Sequence, residues 1–392
     1  MMMHSTKYEP FITPYCFKTL IRHAQTYHSN LKPEILDWKR EQYKMPARKR
    51  KATEMEENSG SDTNITTEDI APDGDVIFEV GDETRRRLRV SSTILSMASP
   101  VFKTWLGPHF LEGQRSRDAS NPVTIELPAD QPQAMSDMFN LLHFRRVLEL
   151  EYRNKSSDEE SEHASRVLEF AIVANKYCCT EALYLQARGI MLYNRDFPAT
   201  KTLPSHIDAD RLTAAYLLNQ GPLFRAISED LILRSASPLT KLRSASHPDI
   251  LPQGIFLVMN LRRNASFAHL AVDVESLCNL RCLQCDNKDY VHLLRHLIGG
   301  LDLAQWPIEN EATGYSVLSI AEGLRKLHSL DIDKKSIICH RSGKYKYDIP
   351  REAFEDLGDN LERVTRGLCL RCVREKDVSE YVSGRCVDHK NT

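Results

Sequence analysis

The 392-residue chain contains no apolar run approaching the roughly 20 residues that cross a bilayer. A spanning helix is therefore excluded. The first residues, Met1-Met2-Met3-His4-Ser5, lack the charged-then-apolar order of a secretory signal. An intracellular protein is expected, with its ten cysteines serving as thiols or metal ligands and not as disulfides. Glycine is scarce, at 16 residues, and follows no period, which excludes a collagen-like fibre. A Gly-rich phosphate loop, G-x-S-x-G and H-E-x-x-H are all missing. Cys339-His340 is a thiol beside an imidazole in sequence, but adjacency does not aim one at the other, and no enzyme is expected. The net charge of -2 selects no partner by bulk charge.

What is present is uneven. Residues 1–44 hold one helical pattern, from Pro14 to His28. Met45 reads as a natural start, so these 44 residues are expected to be an extension that docks weakly or is not translated. Arg48, Lys49, Arg50 and Lys51 follow as a compact basic run. Residues 52–75 then contain no Lys or Arg but eight acidic residues. Such a stretch buries too little apolar surface to offset its ordering entropy, so residues 45–74 are expected to form a basic, then acidic, disordered linker.

From Asp75 the pattern becomes that of a folded domain, expected over 75–197. Val76–Val80, Arg87–Val90 and Val123–Leu127 alternate as half-buried strands, with Gly81-Asp82 as a hairpin turn between the first two. Ser92 is expected to cap one helix, and Ser99-Pro100 a second bearing Val101, Phe102, Trp105 and Leu106. Pro132 opens a helix with Met135, Met138, Phe139, Leu141 and Leu142 on one side. Residues 153–165 read as a charged loop, and helical spacing resumes from Val167. A helical domain is expected over 205–335, with Leu212–Leu233 as one amphipathic segment and Pro252–Leu270 as another. Residues 336–392 form a Cys/His-rich end.

The segment from Asp73 to about Leu192 resembles a BTB (POZ) domain, and the chain downstream resembles fungal BTB proteins with a helical C-terminal half through Leu212–Leu233, Pro252–Leu270, and Cys285 by way of Trp306-Pro307 to Gly314-Tyr315-Ser316. The resemblance rests on Asp75–Val80, the run Leu88–Met97, Ser99-Pro100-Val101-Phe102, and Ala171–Cys179 with its Lys176-Tyr177. Where many such domains carry Ala-His-Lys, this chain has Val90-Ser91-Ser92. The resemblance implies an α+β fold, a small sheet over a helical cluster, followed by a mostly α-helical domain. It also implies protein–protein interaction, either self-association or docking onto a cullin scaffold as a substrate adaptor for a ubiquitin ligase. The alternative is a nuclear transcriptional regulator that touches nucleic acid through the C-terminal tail or the basic run.

The sharpest chemistry lies near the C-terminus. Cys369 and Cys372 form a C-x2-C pair, and Cys386 and His389 a C-x2-H pair, with thirteen residues between. Zinc takes four N or S ligands in a tetrahedron, and closely spaced pairs supply them without bending a long segment. One structural zinc ion is expected there, with Cys339 and His340 competing to complete the set. Buried or idle thiols are the plainer reading, and for Cys278, Cys282 and Cys285, flanked by leucines, the two readings stay open. Cys178-Cys179 reads as core. Arg48, Lys49, Arg50 and Lys51 resemble a nuclear import signal that would engage importin, against the plainer reading of a solvated basic patch.

Overall fold

The computed structural model describes residues 66–147, 150, 157–193, 205–242, 247, 249–278, 314–326 and 351–375. The chain falls into two compact units, one of residues up to 147 with 172–183, the other of residues 148–171 and from 184 onward. The expected extension 1–44 lies outside the described residues, as does the linker up to residue 65.

The first unit is built on a four-stranded sheet in the order β1-β3-β2-β4. Strands β2 (Val76–Val80) and β3 (Arg86–Val90) form an antiparallel hairpin, with Phe78 opposite Leu88. Gly81 turns the chain at φ 91, a backbone conformation that costs glycine little. Strand β4 (Val123–Leu127) runs parallel to β2, with Ile125 beside Phe78. Period-two alternation puts Val76, Phe78, Val80, Val123, Ile125 and Leu127 on the buried face. Between β3 and β4 come helices α1 (Ser92–Ala98), α2 (Pro100–Trp105) and the one-turn α3 (Leu111–Gln114). Helix α4 (Pro132–Leu142) follows β4.

The expected core residues Phe78, Leu88, Leu95, Phe102, Ile125, Phe139, Phe170 and Tyr177 are all buried. Phe78 sits at the centre of an aromatic cluster, with ring centroids 5.2 Å from Phe139, 5.9 Å from Phe102 and 5.8 Å from Trp105. Tilted rings at these spacings add to the area they bury.

Three local expectations are corrected. A strand, β1 (Thr67–Asp69), lies inside the stretch read as linker. It pairs in parallel with β3, Ile70 beside it is buried, and the Glu68 carboxylate accepts from Ser136 Oγ and Asn140 Nδ2. The cap of α1 is Ser91; the Ser92 N–H and Oγ instead donate to Asp75 at 2.8 and 2.6 Å. Helix α5 (Ser157–Lys176) begins within the expected charged loop, where Glu159 and Glu160 suit the positive end of a helix dipole.

The second unit is helical. It holds most of α5, then α6 (Tyr184–Tyr193), α7 (Ser205–Leu217), α8 (Gly221–Arg234), α9 (Gln253–Cys278), α10 (Val317–Lys326), α11 (Arg351–Val364) and the short α12 (Leu370–Glu375). The segment expected as one helix from Leu212 to Leu233 is two, broken at Asn219 with φ 57 and restarted by Gly221-Pro222. Buried polar groups are tied in: Arg211 donates to Glu160 at 2.8 Å, and the fully buried Arg263 reaches the carbonyls of Ser235 and Ser237. Between α10 and α11, Arg325 bridges Asp359 and Glu362 at 2.7 Å each.

Candidate functional site

The first unit contains a buried polar clasp assembled from three distant stretches of sequence. Asp130, at the entry to α4, is 8% exposed. Its carboxylate accepts from Lys176 Nζ at the end of α5, and from the Tyr177 hydroxyl at 2.7 Å. Ser99 supplies the third piece. Its Oγ accepts from the Val101 and Phe102 N–H groups at 3.1 Å each, capping α2, and donates to the Tyr177 carbonyl at 2.5 Å. The Phe102 ring stacks on Tyr177, centroids 4.8 Å apart.

Each part of the clasp answers a requirement of the others. A carboxylate as deeply buried as Asp130 needs both a counter-charge and donors, and the Lys176-Tyr177 pair supplies them from adjacent residues. Burial raises Tyr177 well above the ordinary phenol value, and the Asp130 charge pushes it the same way, so the hydroxyl keeps its proton and donates. Cys179, fully buried, is pushed up to about 12 by burial. A thiol held that high is not a nucleophile near neutral pH. Cys178 is half-buried and disulfide-bonded, a departure from the expectation of a packed thiol. The clasp thus ties together three distant stretches of the first unit.

The expected motif pieces Ser99–Phe102 and Ala171–Cys179 meet here, whereas Asp130 escaped the sequence reading. Its signal was faint: an acid one residue before the Gln131-Pro132 helix entry, with no mark of the lysine and tyrosine 46 and 47 positions away.

Of the expected metal ligands, Cys369 and Cys372 are described. Cys369 immediately precedes α12 and Cys372 lies in it, one turn on; they are 7% and 1% exposed. The chain ahead of them is pinned to α8. Leu368 N–H donates to Ser228 Oγ at 2.7 Å, Gly367 N–H donates to Glu229, and a Cβ on Gly367 would lie 1.8 Å from the Arg225 carbonyl oxygen. The two thiols are therefore part of an ordered turn. Thiolates are soft ligands of the type zinc takes. Among the described residues no three His, Cys, Asp or Glu side chains gather to hold a metal. Cys386 and His389 lie outside the described residues, as do Cys282, Cys285, Cys339, His340 and the basic run Arg48, Lys49, Arg50 and Lys51. Cys278 ends α9. No described helix is long and apolar enough to cross a membrane.

No protein-family model matches this chain, and no curated protein or solved structure is similar to it.

Proposed function

We propose that residues 66–147 with 172–183 form a BTB-type module and that the chain works by binding other proteins, not by catalysis. The module would self-associate or dock onto a cullin scaffold, and the helical unit would receive the protein to be presented. The observation that carries this reading is the clasp. Two pieces of the BTB resemblance, Ser99-Pro100-Val101-Phe102 and the helix ending Lys176-Tyr177, join through Ser99, Phe102 and Tyr177. The hairpin, the helix pair after it and the parallel return of β4 support the same reading.

Affinity purification of the tagged full chain, followed by mass spectrometry, tests it. The proposal expects a cullin or further copies of the chain as the main specific partners. Recovery of chromatin factors and nucleic acid in their place would overturn it.

Two subsidiary proposals belong with it. The Arg48–Lys51 run would bring the chain to the nucleus through importin, and replacing all four residues by alanine should then abolish nuclear accumulation of a fluorescent fusion. One zinc ion held by Cys369 and Cys372, with Cys386 and His389 as the other ligands, would fix the C-terminal end.

A further inference from the structure

Helix α4 ends in a feature that works against the stability of its own unit. Arg145 N–H bonds to the Asn140 carbonyl at 2.8 Å and Phe144 N–H to the Leu141 carbonyl at 3.1 Å. These are the two bonds of a Schellman ending, and they place Phe144 at the position that glycine ordinarily fills. Its φ is 60. A left-handed backbone is costly for a bulky residue, and persists only where the surroundings impose it. The side chain offers no compensation by packing, because Phe144 is 87% exposed.

The turn around this ring is nevertheless firm. Leu141, Leu142 and Val147 are buried on either side of it. His143 fastens it to the start of α1: Nδ1 bonds to the Phe139 carbonyl at 2.8 Å, and Nε2 accepts the Ser91 N–H at 3.0 Å. A strained, rigidly held and solvent-facing aromatic is the arrangement of a binding anchor. Phenylalanine has few rotors to immobilise, and the backbone that carries it is held before any partner arrives.

Charge selects the partner. Arg145 is exposed on the same turn. Among the described residues, the carboxylates on and beside α4 are engaged elsewhere, Glu68 by Ser136 and Asn140, and Asp137 by Gln133. The tip is thus aromatic and basic, a composition enriched at the energetic centres of interfaces.

We propose that Phe144 and Arg145 form a docking tip for an acidic peptide segment of another protein, whose aliphatic side chains cover the Phe144 ring. The tip deepens, and rests on, the reading of this unit as an interaction module. Its test makes no use of cullin, and it reads a dimer as a separate outcome, so loss of the acidic-peptide tip is told apart from failure of that reading.

A random peptide library displayed on phage is selected against the immobilised full chain, and the enriched peptides are synthesised. Enrichment of peptides that combine Leu, Ile or Val with Asp or Glu is expected. They should bind Phe144→Gly about tenfold more weakly or worse, and Arg145→Glu also more weakly. Because glycine suits the backbone there, Phe144→Gly should melt at the same temperature as wild type or higher. No acidic enrichment, or equal binding to Phe144→Gly, would overturn the tip. So would a lowered melting temperature for that variant, since the ring would then be structural. A concentration-dependent dimer abolished by Phe144→Gly would make a second copy the partner and equally refute the acidic peptide.

Discussion

Asp130 is the residue whose loss should be felt most in the first unit. Asp130→Ala would strand the Tyr177 hydroxyl in a buried site and remove the counter-charge of Lys176, whose side chain is 27% exposed. The expected cost is roughly 2–4 kcal/mol, read as a shift in the urea midpoint. Tyr177→Phe removes one hydrogen bond to a charged group and keeps the stack on Phe102, for roughly 1–3 kcal/mol. A midpoint unchanged in both variants would show that the clasp contributes nothing. Two titrating groups give opposite pH signatures. Burial lowers His143, and Arg145 lowers it further against the Phe139 bond that raises it. The neutral imidazole is favoured in the fold, so its stabilisation is present above the ordinary value of about 6.5 and fades as pH falls below it. An NMR titration should find the His143 midpoint below that value. Burial raises Asp208 to about 6; Arg211 opposes this, Asp230 and Glu160 reinforce it, and Arg234 opposes it weakly. Here the neutral acid is favoured, so stability is greatest below the ordinary carboxylate range and declines as pH rises through about 6. Asp208→Asn should therefore stabilise the helical unit near neutral pH by roughly 1–2 kcal/mol, with the gain vanishing below about pH 4. Urea midpoints at both ends of that range decide it.

At the scale of elements, the hairpin, β4, α2 and α4 were legible because each buries one face with a clear period and begins or ends on a residue of marked chemistry. Ser99-Pro100 sets the start of α2, Pro132 that of α4, and Gly81 the hairpin turn. The elements that sequence hid had no such period. Strand β1 is three residues, Thr67-Glu68-Asp69, whose polar composition is that of a linker; only its pairing with β3 and the burial of Ile70 make it a strand. The break between α7 and α8 turns on Asn219 in a left-handed conformation, which apolar spacing on both sides masks. The clasp shows the same limit: its serine, lysine and tyrosine belong to recognisable runs, but the carboxylate that joins two of them is a long-range partner. Phe102, fully buried between Phe78 and Tyr177, was legible as core. Phe102→Ala should cost about 3–5 kcal/mol by chemical denaturation; a cost below about 1 kcal/mol would mean that the site collapses around the missing ring.

For the molecule as a whole, the sequence conveyed an α+β part followed by a helical part, while the chain passes between the two units after Val147, inside α5 and after Leu183. If zinc is bound at Cys369 and Cys372, elemental analysis should find about one equivalent, lost in the Cys369→Ser, Cys372→Ser double variant. A chelator should then loosen the C-terminal segment and leave the first unit's unfolding midpoint where it was. The measurement that bears most directly on the central claim is sedimentation velocity of the purified full chain across a wide concentration range, alone and mixed with the purified N-terminal region of a cullin. A protein-binding module of the BTB type predicts a sedimentation coefficient that rises with the chain's own concentration, or a faster co-sedimenting species when the cullin is added. A monomer at every concentration that sediments independently of the cullin would contradict it.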